Sequence, residues 1–150
     1  MGYVSTEYVQ RVTLNLQEAK DAVTVQKAII NKGFPGQTAQ MVTAIGGVLL
    51  GLLSLVFKLP TYVTFGAGVS STVAGLIPSE RQALTDMASQ GLIGLQNAVN
   101  SMAGTNYDLI EFDVPKISFK NSDSSKNWEM ATGNIRVIRM HSKNGGWTQA

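Results

Sequence analysis

Few residues of this 150-residue chain combine the side chains and the spacing that catalysis requires. The chain has one histidine, His141, and no cysteine, which excludes a histidine-based metal cluster, a thiolate metal site and a thiol nucleophile. A serine triad would need His141 as its base, and its sequence neighbour Ser142 is badly placed, since adjacent residues seldom face each other correctly. We therefore predict no catalytic residue and no metal ligand at this position.

Three carboxylates lie close together in the C-terminal third, at Asp108, Glu111 and Asp113. In a strand Glu111 and Asp113 would share a face about 7 Å apart, a spacing that suits calcium binding or acid–base chemistry. A solvated strand face is the commoner explanation. The chain also lacks a P-loop, a dinucleotide-binding fingerprint and a nucleophile elbow. We predict no enzyme, no cofactor and no small-molecule substrate.

Small residues at four-residue spacing indicate a structural role, the close packing of helices. Gly47 and Gly51 form one pair, and Ala67, Ser71 and Gly75 form a second row. Such rows let two helix backbones approach closely, which is how helices associate in lipid. We predict that these five residues form helix–helix contacts.

The elements that carry these rows lie in a segment almost without charge. Of residues 33–79 only Lys58 is charged, whereas 15% of the whole chain is charged. Two apolar stretches, 41–57 and 62–77, are separated by a short break that contains Lys58 and Pro60. Seventeen helical residues span about 26 Å, against a hydrocarbon thickness of about 30 Å. The pattern predicts an apolar helical hairpin with Lys58 and Pro60 at its tip.

Two environments suit such a hairpin. A helix that is apolar on all faces is buried either in lipid or in protein, and a chain of this length has little material to bury it completely. Lipid or an oligomer interface is therefore favoured. The alternative is a soluble protein that buries the hairpin between flanking helices, and residues 62–65 are also typical of a strand.

Amphipathic helices are predicted on both sides of the hairpin. Ser5 or Thr6 can cap a helix over residues 5–32, in which apolar residues recur at spacings of three, four and seven. Another amphipathic pattern predicts a third helix over 79–103. The apolar period then changes from 3.6 to 2, which predicts a small antiparallel meander of three or four strands within residues 107–150.

The C-terminal region also carries aromatic and basic side chains that suit a membrane surface. Tryptophan anchors at membrane interfaces, and cations attract anionic headgroups. The residues predicted to contact such a surface are Trp128, Arg136, Arg139, Lys143 and Trp147. Alternatively, the tryptophans fill the core and the cations face water.

Together these features predict an α+β chain: an N-terminal amphipathic helix, an apolar helical hairpin, a third helix and a C-terminal antiparallel β-meander. We divide it into a helical region, residues 1–106, and a small β module, residues 107–150. The net charge of +2, from 12 basic and 10 acidic residues, does not indicate a nucleic-acid-binding surface, so no nucleic-acid partner is predicted.

The preferred function is that of a secreted or membrane-associated toxin that inserts its hairpin into a lipid bilayer, forms homo-oligomers and permeabilises the membrane. In design it resembles the hydrophobic hairpin of pore-forming bacteriocins. One alternative is a structural or self-assembling protein, such as a phage or envelope component, whose hairpin is a subunit interface. A second is a small integral membrane protein that resembles a two-span holin in design.

Overall fold

A computed structural model describes residues 4–30, 43, 45–46, 48, 50–58, 62–120 and 127–150, with the backbone alone for residues 50 and 62–67. Five strands form one antiparallel sheet, and the helices lie mid-chain, between its first and second strands. In chain order the elements are β1 (Val4–Asn15), α1 (Leu16–Ala28), α2 (Leu50–Val56), α3 (Tyr62–Ala74), α4 (Pro78–Met102), β2 (Tyr107–Lys120), β3 (Trp128–Ala131), β4 (Arg136–Ser142) and β5 (Gly146–Gln149).

The sheet is organised around β2, its longest strand. β1 pairs with β2 along all 12 of its residues, from Val4 opposite Lys120 to Asn15 opposite Leu109. The other edge of β2 pairs with β4 near its start and with β3 near its end, and β5 pairs with β4. Because every pair is antiparallel, residues directly opposite each other share a face of the sheet.

The predicted order of elements, from an N-terminal helix through a helical hairpin to a C-terminal meander, is wrong. Residues 4–15 form a strand and not a helix, and they belong to the five-stranded sheet that dominates the fold. Tyr8, Val12 and Leu16 satisfy a four-residue step, but they satisfy a two-residue step equally well. Buried Val12 and Leu14 alternate with exposed neighbours, and the many β-branched residues suit a strand.

The first helix begins where this strand ends. Asn15 Oδ1 accepts a hydrogen bond from the Glu18 backbone N–H at 2.8 Å, and Glu18 Oε1 accepts one from the Asn15 N–H at 2.9 Å. This reciprocal capping box satisfies two N–H groups that a helix start leaves without partners. Ala19, Ala22 and Val25 are buried on the face of α1 that packs against α4.

α4 occupies the stretch for which the sequence predicts a third helix, and two glycines bring it close to the sheet. A Cβ on Gly91 would overlap the Ala131 carbonyl oxygen, and one on Gly94 would lie 2.5 Å from a backbone oxygen of the β3–β4 connection. The buried Gln26 amide donates to the carbonyls of Ala88 at 2.9 Å and Ala131 at 2.8 Å. This side chain therefore joins α1, α4 and β3.

The inner faces of α2 and α3 complete the core. The buried apolar residues of this region are Leu52, Leu53, Val56, Phe57, Val69 and Val73. Trp128 of β3 is fully buried and stacks on Phe119, with ring centroids 4.8 Å apart. Its indole N–H donates to Thr72 Oγ1 of α3 at 2.6 Å. Within the described part of the chain, no helix combines the length and apolar character that crossing a membrane requires.

Candidate functional site

The C-terminal end of α2 lies against the middle of the sheet. Lys116 Nζ of β2 donates to the Val56 carbonyl, and the Glu129 backbone N–H of β3 donates to the Phe57 carbonyl at 3.2 Å. The last carbonyls of a helix have no partner within the helix and carry partial negative charge. A cation from β2 and an N–H from β3 therefore satisfy the end of the apolar helix.

Lys116 is completely buried, with a side chain 0% exposed. Besides the Val56 carbonyl, its ammonium donates to Gln10 Oε1 at 2.6 Å and to Glu129 Oε2 at 3.1 Å. Three donors meet three acceptors, as a buried ammonium requires. Burial lowers the pKa of Lys116 to about 8; the charge and hydrogen bond of Glu129 act in the opposite direction, and the positive charge of Lys58 lowers it further.

Tyr8 completes this arrangement from β1. It lies directly opposite Lys116 in the strand register, so the two side chains share a face of the sheet. Its hydroxyl donates to Glu129 Oε2, the oxygen that Lys116 also contacts. Burial, followed by the hydrogen bond to Glu129 and the charge of that carboxylate, raises the pKa of Tyr8 well above its usual value. We call Tyr8, Gln10, Lys116 and Glu129 the Lys116 cluster.

A cavity of about 340 Å³ opens beside the Lys116 cluster, a volume within the range of small-molecule sites. The residues that line it are almost all polar: Thr6, Tyr8, Gln10, Lys58, Ser118, Lys120 and Glu129. Thr6 lies opposite Ser118, and Ser118 lies opposite Glu129, so one row across three strands forms a wall. Lys58, just after α2, has a φ of 60°, in the left-handed region that few non-glycine residues adopt.

The Lys116 cluster is arranged to hold α2 in place. All three N–H donors of Lys116 are occupied and its side chain is inaccessible, which is unsuitable for a nucleophilic or Schiff-base lysine. The cavity differs, because Lys58 and Lys120 on its wall form no ion pair with any described carboxylate. Lys116 is thus a structural cation, whereas Lys58 and Lys120 are the exposed cations of the cavity wall.

The predicted carboxylate cluster is part of a ladder of charges across the sheet. Among the described residues, no three histidine or acidic side chains are grouped so as to hold a metal ion. Each carboxylate of β2 instead pairs with an arginine or histidine side chain on a neighbouring strand. The pairs are Arg11–Asp113 at 2.8 Å, Arg139–Glu111 at 3.0 Å and His141–Asp108 at 2.6 Å. The Arg11 hydrogen bond lowers the pKa of Asp113, and the His141 contact lowers that of Asp108.

The predicted rows of small residues lie partly on the outside of α2 and α3. Gly51 and Gly75 are exposed, and Ser71 is half-buried. Among the described residues, a Cβ on Gly51 would meet no atom within 4 Å, and one on Gly75 would meet only the Thr72 oxygen, at 3.6 Å. The described residues therefore do not require either glycine for packing, and the role of both in helix–helix contacts stays a prediction.

The other residues predicted in the hairpin are only partly described. Gly47, Pro60 and the side chain of Ala67 lie outside the described residues. Lys58, predicted at the hairpin tip, follows α2 and lines the cavity beside the Lys116 cluster.

The residues predicted to contact a membrane surface divide into two groups. Trp128 is buried in the core, as the alternative interpretation expects. Arg136, Lys143 and Trp147 are exposed, and the Arg139 guanidinium lies 4.0 Å from the centre of the Trp147 ring. Arg139 and Trp147 therefore form a cation–π pair on the last two strands, and contact with lipid stays a prediction.

The Lys116 cluster is not among the site residues predicted from the sequence, although one local pattern indicates it. Ile110, Phe112 and Val114 are buried at alternate positions of β2, and Lys116 follows in the same two-residue phase. A lysine in the apolar phase of a strand indicates a buried cation that needs partners.

Comparisons with known proteins do not assign the chain: no family model, curated protein or solved structure matches it.

Proposed function

We propose that this protein inserts the apolar segment of α2 and α3 into lipid bilayers and permeabilises them as a homo-oligomer. The observation that carries the proposal is the uncharged outer surface of these two helices. Their exposed residues, where side chains are described, are Gly51, Ser54, Leu55 and Ala74. Two large apolar side chains add to this surface, since Leu55 is 43% exposed and Ile77, just beyond α3, is 59% exposed.

The contrast with α4 supports this interpretation. The solvent-facing side of α4 includes Glu80, Arg81 and Asp86, as is usual for a helix that borders water. An outer surface made of glycine, serine, alanine, leucine and isoleucine gains more from lipid or from a second copy than from water. The open space around Gly51 leaves room for the close approach of another helix.

Insertion requires that the apolar segment leave the sheet. Among the described residues, the polar attachments that would break include the hydrogen bonds from Lys116 and Gln10 to carbonyls of α2. They also include the bond from the Glu129 N–H to the Phe57 carbonyl and the bond from Trp128 to Thr72 of α3. The buried apolar side chains would exchange protein neighbours for lipid tails, which are as apolar as the core. The proposed path therefore releases a few identifiable contacts and leaves the charged sheet outside the bilayer.

The test measures dye release from vesicles of phosphatidylglycerol and phosphatidylcholine. Gly51→Leu fills the space that a second helix would occupy, so we expect slower release and fewer oligomers in lipid with an unchanged fold. The matched control is Ala83→Leu, which adds the same side chain at an exposed position of α4. Absence of release by the wild-type protein, or equal effects of the two variants, contradicts the proposal.

A second candidate function, self-assembly through the sheet, is favoured by the edge formed by β1. In the described sheet β1 pairs only with β2, and Val4 and Val9 on this strand are 67% and 64% exposed. An edge strand with exposed apolar side chains is a template for pairing with another chain. This candidate predicts oligomers without lipid that Val9→Lys abolishes, as measured by light scattering after size-exclusion chromatography.

A further inference from the structure

The cavity beside the Lys116 cluster has a surplus of positive charge. Lys58 and Lys120 lie on its wall, and Glu129 is its single acidic residue among the described lining. The Glu129 carboxylate is already paired with buried Lys116, 3.1 Å away. The two wall lysines therefore remain without a matching carboxylate among the described residues.

Two of the ammonium groups, those of Lys58 and Lys116, are close enough for one to influence the other. The charge of Lys58 contributes to the lowered pKa of Lys116 across the end of α2. Mutual repulsion of this kind is relieved when an anion enters the space between the cations. Lys58 has a left-handed backbone just after the end of α2, where glycine or asparagine is the usual residue. A lysine in this position indicates that its charged side chain has a role in the cavity.

Hydroxyl groups lie on the same wall as the ammonium groups. Thr6 and Ser118 are directly opposite each other on β1 and β2, and both line the cavity. A hydroxyl donates to an anion and accepts from the organic part of a ligand. Two ammonium groups and two hydroxyls can together supply donors to several oxygens of one anion, and phosphate has more acceptor oxygens than a carboxylate.

We infer that this cavity binds the phosphate group of a small phosphate ester, with Lys58 and Lys120 neutralising the charge and Thr6 and Ser118 donating hydrogen bonds. A volume of about 340 Å³ leaves space for an organic group as well as the phosphate. The phosphate belongs either to a soluble ester or to a lipid headgroup, and the chemistry of recognition is the same. The inference does not depend on membrane insertion, because binding in solution is sufficient for it.

The first experiment is calorimetric titration with inorganic phosphate and with glycerol 3-phosphate at constant ionic strength, with chloride as the reference anion. We expect saturable binding to wild-type protein. Lys58→Gln and Lys120→Gln should each weaken it about tenfold, the effect of losing one charged hydrogen bond. Lys143→Gln, which removes an exposed lysine far along the sheet, is the matched control and should bind like wild type.

A second measurement uses only the wild-type protein, so that it stands even where a variant folds poorly. Titration with glycerol 3-phosphate should move the amide NMR signals of Thr6 and Ser118 saturably and leave that of Lys143 unchanged. No saturable binding of either probe, signals that move elsewhere, or Lys58→Gln and Lys120→Gln variants that bind like Lys143→Gln would overturn the inference.

Vesicle flotation distinguishes the two sources of phosphate. A lipid headgroup predicts that the protein floats with phosphatidylglycerol vesicles, that glycerol 3-phosphate displaces it, and that Lys120→Gln abolishes flotation. If the ligand is a soluble ester, the free probe binds, and Lys58→Gln and Lys120→Gln leave flotation unchanged. Both results support a phosphate site, and neither requires that dye be released.

Discussion

The Lys116 ammonium lies 3.1 Å from the Glu129 carboxylate, in a buried position where the apolar segment meets the sheet. The same ammonium donates to the Val56 carbonyl, so one cation links β2 to β3 and to the end of α2. The cost of removing this charge from water is offset by three acceptors, and losing any of them leaves an uncompensated buried group.

Removal of the cation alone should be far more harmful than removal of the pair. Lys116→Met leaves the Glu129 carboxylate without its cation and the Val56 carbonyl without the ammonium donor, and we expect the free energy of unfolding to fall by about 3 kcal/mol. The double variant Lys116→Met/Glu129→Leu should recover part of this loss. Arg11→Met, which breaks the exposed pair with Asp113, should cost much less than Lys116→Met, because water already screens that pair. Urea unfolding measures all three, and equal losses in the single and double variants would contradict the account.

The stability should depend on pH in a way that Lys116 determines. Burial lowers its pKa from 10.5 to about 8, so between these values the unfolded chain binds more protons than the folded one. The free energy of unfolding should therefore rise with pH in this window, by up to about 1.4 kcal/mol per pH unit. Below pH 8 both states are protonated and the contribution is constant.

Tyr8 reverses this trend at higher pH. Its pKa is raised in the folded state, so above its ordinary value of 10.0 the folded chain retains a proton that the unfolded chain loses, and stability falls. Lys116→Met should lack the rise and Tyr8→Phe should lack the subsequent fall. Denaturant unfolding across this pH range checks both predictions. If the free energy of unfolding of Lys116→Met still rises with pH, another group is responsible for the rise.

The spacing of apolar residues within a segment predicts that segment's secondary structure, but it does not predict which distant segments pair with each other. The amphipathic stripe of α4 and the alternation of β2 are local, and both elements lie where those patterns indicate. β1 is different, because its partner β2 lies at the other end of the chain. The inward positions Tyr8 and Gln10 are polar, so the strand lacks a continuous apolar phase and its helical spacing is misleading.

The candidate site is difficult to predict for the same reason. Tyr8, Lys116 and Glu129 come from three strands, and only the strand register brings them together. Lys116 in the apolar phase of β2 is the one local sign of a buried cation. Its partners depend on the end of α2, whose position relative to the sheet no periodicity specifies.

Two glycines in helices should respond to alanine in opposite directions. A Cβ on Gly91 would overlap the Ala131 carbonyl oxygen, so Gly91→Ala must push α4 from β3 and should cost about 3 kcal/mol. Gly51→Ala meets no atom of the described residues within 4 Å and gains helix propensity, so it should stabilise the fold by up to about 1 kcal/mol. Thermal unfolding of the two variants measures the difference. Equal changes would mean that α4 does not approach β3 this closely.

The bond between Trp128 and Thr72 links stability to the proposed release of the apolar segment. Thr72→Val keeps the shape of the side chain but removes the acceptor of the buried indole N–H, which should lower the free energy of unfolding by about 2 kcal/mol. If α3 must leave the sheet before it enters lipid, the same variant should release dye from vesicles faster than wild type. Thr85→Val is the control, because its hydroxyl donates only to Arg81 of its own helix. A destabilised Thr72→Val protein with unchanged or slower release would mean that separation of α3 from the sheet does not limit the reaction.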